Sequence, residues 1–258
     1  MATDHELRSE LSLRQLEARL GLAGWQVRLA REHGLLPEPD RDGRWSARLA
    51  ERCREQTSTI IDTFGTEPPI GAGKAAMLLA ARVRLDVERA DVEVLVAQGA
   101  LDVVSRFQQY PVYLVTDVMA LDAERVAAVV AARKGPLLER VEAKGAAHIL
   151  GWPKRVFDRI AAERGLRTDQ LSRYALDDVR ALADDADLAA RIHAERREQA
   201  LARARRNEQR HAQALRDLLA HCHAYLDQTT ATPPDPATVA RTLRALRAAR
   251  ATVASEAA

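Results

Sequence analysis

The stretch Leu20-Gly-Leu-Ala-Gly-Trp-Gln-Val-Arg-Leu-Ala-Arg-Glu-His-Gly-Leu-Leu-Pro37 reads as a short amphipathic helix closed by glycine and followed by leucine. Leu29 and Ala30 stand five and four residues before Gly34, and Trp25 and Val27 stand nine and seven before it. That spacing lays one apolar stripe along the helix, and Gly34 suits a helix end that needs a left-handed residue. The pattern returns from Leu85 to Leu101, with Ala90, Val92, Val94 and Leu95 before Gly99. It returns again from Leu150 to Leu166, with Val156, Ile160 and Ala161 before Gly165. From Gly34 to Gly99 is 65 residues and from Gly99 to Gly165 is 66, which predicts one small unit built three times.

The flanks repeat as well. A small apolar run precedes each copy, at Leu16 to Leu20, Ala75 to Leu79 and Ala146 to Leu150. Each copy therefore reads as helix, tight turn, helix, then glycine. A short polar stretch follows, then an aromatic residue and a further helix, opened at Ser46, Asp117 or Asp177. In the first copy Asp42-Gly43 is a hairpin turn signal. Arg44-Trp45 and Arg173-Tyr174 give an Arg-aromatic pair, from which the second copy departs with Val112-Tyr113.

A helix pair, Gly-Leu, a variable wing ending in Arg-aromatic and a Ser- or Asp-capped helix resemble the winged helical domains of MerR-type regulators and phage excisionases. The resemblance runs over about residues 11 to 184. It implies a mainly α chain with small β-wings: tandem winged helix-turn-helix units at 1–66, 67–134 and 135–185, then a long helical region at 186–258.

Charge divides the copies. The whole chain carries only +2, so its net charge does not point to nucleic acid. The first copy carries Arg28 and Arg31 on its second helix and Arg41 and Arg44 on its wing. The third carries Lys154, Arg155, Arg159, Arg164, Arg167 and Arg173. The second sets Asp86, Glu88, Asp91 and Glu93 against Arg84 and Arg89. DNA presents one negative charge per roughly 1.7 Å, so copies one and three are expected to hold it, with copy two a spacer or a protein contact. A recognition helix offers the residues near its N-terminus to the major groove. Gln26 and Arg28 are then base readers in copy one, with Arg31 nearer the backbone. Lys154, Arg155 and Arg159 take that place in copy three, while Arg41, Arg44, Arg167 and Arg173 serve phosphates or a minor groove. Arginine suits guanine O6 and N7, and glutamine suits adenine N6 and N7. The competing reading is an arginine-rich solvated surface, because only Lys74, Lys134, Lys144 and Lys154 break the arginine bias. Trp25, Trp45 and Trp152 are expected to pack and not to stack on bases.

From Asp187 to Leu226 there is no proline or glycine, which predicts one long helix. Leu201, Arg205, Glu208, Ala212, Leu215, Leu219, Cys222 and Leu226 follow a 3–4 spacing that suggests a homodimer seam, although Arg205 and Glu208 interrupt it. Gln228 to Pro236 reads as a hinge and Thr238 to Ala251 as a last helix able to fold back, with a frayed end beyond it.

Catalytic patterns are weak. Gly71-Ala-Gly-Lys74 lacks the glycine and hydroxyl residue of a phosphate loop, since Pro68 and Ala75 occupy those places. His221 and His223 lean to different faces of one helix, so no metal site is expected. No cofactor and no enzymatic activity are expected. A charged fraction of 29% and the lack of an apolar run near 20 residues argue against a membrane protein. The polar opening Met1 to Glu10 predicts no targeting segment, and two distant cysteines predict reduced thiols. The expected function is sequence-specific binding of double-stranded DNA by a cytoplasmic, nucleoid-associated bacterial regulator. The alternatives are an architectural or excision factor for a recombinase, and a protein-interaction scaffold with degenerate winged helices.

Overall fold

The structure is a computed structural model that describes residues 10–257, so the expectation for the chain's opening lies almost wholly outside the described residues. It holds 67% helix against 8% strand, which leaves helices to build the core around small antiparallel sheets. Two compact units divide it, the first ending at Leu182 and the second beginning at Ala183.

The first unit repeats one path three times. In the first pass Leu11 leads into α1 (Leu13–Leu20) and α2 (Gly24–Glu32), then a wing, then α3 (Ala47–Glu55) and α4 (Thr57–Phe64). In the second, β1 (Ile70–Gly71) leads into α5 (Ala72–Val83) and α6 (Arg89–Ala97). The hairpin β2 (Ser105–Phe107) and β3 (Tyr110–Tyr113) follows, then α7 (Val115–Ala120) and α8 (Ala123–Lys134). In the third, β4 (Arg140–Glu142) leads into α9 (Ala143–Ile149) and α10 (Lys154–Glu163), then β5 (Arg173–Ala175) and α11 (Leu176–Asp184).

In every pass the chain leaving the wing pairs antiparallel with the residue that opened the unit. Leu11 faces Trp45, Ile70 faces Tyr113 and Val141 faces Tyr174. The aromatic of each pair anchors the wing. Trp45 and Tyr113 are buried, and Tyr174 sets its ring edge-on against Phe157 at 5.0 Å. The Trp45 indole N–H donates to the Pro37 carbonyl at 3.2 Å.

The three repeat glycines close their helices in one way. Gly34, Gly99 and Gly165 stand at φ +72, +65 and +63°. Each donates its N–H to the carbonyl three residues back, at Arg31, Val96 and Ala162. The next residue donates to Ala30, Leu95 or Ala161, which satisfies two helix-end carbonyls. Gly21 and Gly151 end α1 and α9 in the same left-handed region, where α5 uses Arg84 at φ +54°.

Several expectations change. Ser46 does cap α3, accepting from the Leu49 N–H at 3.3 Å. Asp117 and Asp177, by contrast, sit inside the first turns of α7 and α11. There they favour the helix dipole without capping. Val94 is 42% exposed, because α6 turns Val92 and Leu95 inward instead. The second copy, where the Arg-aromatic pattern fails, has the longest wing strands of the three.

In the second unit α12 (Ala186–Leu226) is a single helix of 41 residues, started by Asp185 accepting from the Leu188 N–H at 2.9 Å. A turn brings α13 (Pro236–Ala257) back along it, with Arg250 and Glu208 paired at 3.2 Å. The end expected to fray stays helical through Ala257. Ala204, Leu246 and Ala249 are buried in this hairpin, and Ala212, Leu215 and Cys222 half-buried. The chain's own α13 thus lies along much of the seam read as a partner site. No helix among the described residues is long and apolar enough to cross a membrane.

Candidate nucleic-acid interface

The first repeat presents its cations on two elements. Arg28 is exposed on α2, and Arg41 and Arg44 flank the wing turn, whose Asp42 and Gly43 adopt φ +27 and +77°. Asp40 stiffens the wing from below, accepting from the Ser46 N–H at 2.8 Å and the Ser46 hydroxyl at 2.7 Å. Those bonds hold its carboxyl below the usual carboxylate range. Arg28, Arg41 and Arg44 make no ion pair among the described residues.

Two residues expected here have other duties. Gln26 is buried: its Oε1 accepts from the Ala23 N–H at 2.9 Å and its Nε2 donates to the Gly65 carbonyl at 2.7 Å. With both ends of its amide used, it caps α2 and ties it to the chain after α4, so it is no base reader. Arg31 pairs with Glu38 and lies over the Trp45 ring at 5.6 Å, bracing wing to helix.

The third repeat offers less free charge than its sequence suggests. Lys154 pairs with Asp158 at 2.7 Å and Arg159 with Glu163 at 3.0 Å, each one turn along α10. Arg155 is exposed and engaged within the fold, and Arg167 is exposed without an ion pair among the described residues. Arg173 is a correction. Its guanidinium is mostly buried and binds Asp169 at 3.1 Å, while Asp169 also accepts the N–H groups of Leu171 and Arg173. The Arg173 and Leu171 amides and the guanidinium hold Asp169 below the ordinary carboxylate range. Arg173 therefore shapes the wing from within and does not reach a phosphate.

The second repeat is less repulsive than its composition implies. Asp91 is 1% exposed and takes two hydrogen bonds from Arg133, at 2.7 and 2.9 Å. Arg133 also binds Glu88 at 2.9 Å, Lys134 pairs with the buried Asp86, and Arg89 binds Glu93 at 2.8 Å. Three cations thus engage all four carboxylates, Arg133 serving two of them.

Residues that sequence reasoning missed lie on the second wing. Phe107 is 53% and Tyr110 61% exposed at the tip of the hairpin, with Arg106 beside them. Gln108 and Gln109 make the turn at φ +48 and +70°, so the glycine or asparagine that usually betrays such a turn is missing. This wing is fixed to the first repeat. The His33 Nε2–H donates to the Val104 carbonyl at 2.7 Å, and the Ser105 hydroxyl donates to Glu32 at 2.7 Å. Trp25, Arg28, Pro68, Pro69, Phe107 and Tyr110 line one open groove between α2 and the hairpin. Arg28 thus shares a groove with the neighbouring repeat's hairpin.

Comparison with protein-family models, with curated proteins and with solved structures finds no match for this chain.

Proposed function

We propose that this protein binds double-stranded DNA through tandem winged helix-turn-helix units and acts as a bacterial transcriptional regulator. The single observation that carries the reading is the first repeat. A short helix offers Arg28 and a hairpin offers Arg41 and Arg44; none of the three makes an ion pair among the described residues, with Asp40 the neighbouring charge that attracts Arg41. Arg28 enters the major groove and reads a guanine edge, while Arg41 and Arg44 bind the flanking backbone. Arg167 and the α10 face of the third repeat add weaker phosphate contacts, because Asp158 and Glu163 already engage Lys154 and Arg159. The hairpin of α12 and α13 pairs with a second copy through Leu219, Tyr225, Leu226 and Leu243, which are 40% exposed or more. Two copies then address repeated or palindromic half-sites.

Selection of bound fragments from bacterial genomic DNA tests this directly. A recurring sequence element in the recovered pool supports a regulator. Recovery without a common sequence supports an architectural or excision factor, and no recovery removes the DNA reading.

One observation favours a second reading, the protein-interaction scaffold. Ala90, Val94, Ala128 and Ala132 line an apolar groove between α6 and α8 in the acidic repeat. A chain that fails to retain DNA but holds a protein partner through this groove would be such a scaffold.

A further inference from the structure

We infer that the second repeat's wing is a working part of the first repeat's DNA contact: Phe107 and Tyr110 enter the minor groove beside α2 and wedge the duplex into a bend. The inference rests on the duplex-binding reading and deepens it.

Four observations converge on it. The hairpin is anchored at its root, where Val104 and Ser105 are hydrogen-bonded to His33 and Glu32 at the end of α2. Its tip therefore keeps a set position relative to Arg28. Two large aromatic rings, paired across the strands at Phe107 and Tyr110, are more exposed than buried. Aromatic side chains of this size ordinarily dominate cores and interfaces, and neither ring belongs to the buried core. The chain also holds Gln108 and Gln109 in the left-handed region to make the turn, a conformation that non-glycine residues rarely take.

Charge selects the occupant. Arg106 directly precedes Phe107 on β2, the Arg89 guanidinium sits 5.9 Å from the Tyr110 ring centre, and Arg28 closes the other wall of the groove. Of the acids nearby, Glu93 is paired with Arg89, and Glu32 sits at the hairpin root, away from the tip, accepting from the Ser105 hydroxyl. An apolar tip flanked by Arg28 and Arg106, neither in an ion pair among the described residues, fits a polyanion with stackable bases. Minor-groove proteins use such wedges to unstack a base step and kink the duplex by about 20–90°. The recognition helix and the borrowed wing then straddle one backbone, the helix in the major groove and the wing in the next minor groove.

The test uses the full chain and a duplex labelled at both ends for energy transfer, with 2-aminopurine placed along it. The wild type should bring the ends together and brighten 2-aminopurine at one step, where the base unstacks. The double variant Phe107→Ala, Tyr110→Ala alters exposed side chains, and circular dichroism verifies that it folds. It should still bind through α2, about tenfold more weakly, while losing both signals. Arg28→Ala should weaken binding of the wild type and of the double variant alike. A double variant that binds and bends as the wild type does overturns the wedge and leaves the DNA reading standing. A wild type that ignores duplex yet binds poly-glutamate makes the groove a protein-docking site, and both proposals fall. A wild type that binds neither overturns both as well.

Discussion

Arg133 on α8 grips Asp91 on α6 with two hydrogen bonds, at 2.7 and 2.9 Å, and Asp91 is almost wholly buried. The same carboxylate caps its own helix, accepting from the Glu88 N–H at 2.8 Å. An acid that looks in the sequence like a barrier to DNA is thus an internal strut. Removing one partner from a buried pair strands the other, which costs about 3–5 kcal/mol. Arg133→Ala and Asp91→Ala should each destabilise the first unit by roughly 3 kcal/mol. Urea unfolding monitored by circular dichroism checks this, and a loss near zero would mean that the pair is solvated.

A second strut depends on a missing side chain. A Cβ on Gly145 would overlap the Asp86 carboxylate and lie 2.7 Å from Val141 Cγ2. Asp86 is buried and holds Lys134, whose Nζ also reaches the Arg140 carbonyl at 3.0 Å, joining the second repeat to the third. Gly145→Ala should therefore push Asp86 out of place and cost about 1–3 kcal/mol, although alanine favours helices elsewhere. Thermal melting would reveal it as a lowered Tm.

Stability should also fall with acid below neutrality. Burial, and then Lys144, lowers the pKa of His148, outweighing the attraction of Asp86. The folded protein keeps this imidazole neutral at a pH where the unfolded chain, with an ordinary value of about 6.5, takes up a proton. Its contribution is present above that ordinary value and is lost as pH drops toward the folded one. Asp40, Asp169 and Asp235 have lowered pKa values, so their contributions persist until pH falls below the usual carboxylate range. The expected result is a Tm that declines from pH 7 to 5 in the wild type and declines less in His148→Gln.

The ion pairs along α10 give a prediction of opposite sign. Lys154 is occupied by Asp158, so Lys154→Ala should weaken duplex binding less than Arg28→Ala does. Asp158→Ala should strengthen binding severalfold by freeing the ammonium for a phosphate. Anisotropy titrations at one salt concentration compare the three variants.

What could be read from the sequence is unevenly spread, for physical reasons. Gly34, Gly99 and Gly165 announced the repeat because a left-handed helix end tolerates few other residues, and that constraint leaves a periodic mark. The long α12 was equally plain from its uninterrupted helix formers. The second hairpin was hidden because Gln108 and Gln109 occupy left-handed positions without the usual residues. Gln26 carried a usable sign: it stands three residues after Ala23, where glutamine returns to cap the helix start. Asp91 holds the same register, eight residues before its glycine, and is buried in the same way. Side-chain pairing across the fold, as in Arg173 with Asp169 and Lys134 with Asp86, depends on packing that charge counts do not reveal.

The most direct measurement is the salt dependence of duplex binding by the wild type and by the triple variant Arg28→Ala, Arg41→Ala, Arg44→Ala. The wild type should bind at about 50 mM salt, with log affinity falling linearly against log salt. Loss of three phosphate or groove contacts should flatten that line by a slope of roughly 2–3. A wild type without affinity for duplex, or a triple variant with an unchanged slope, would contradict the account.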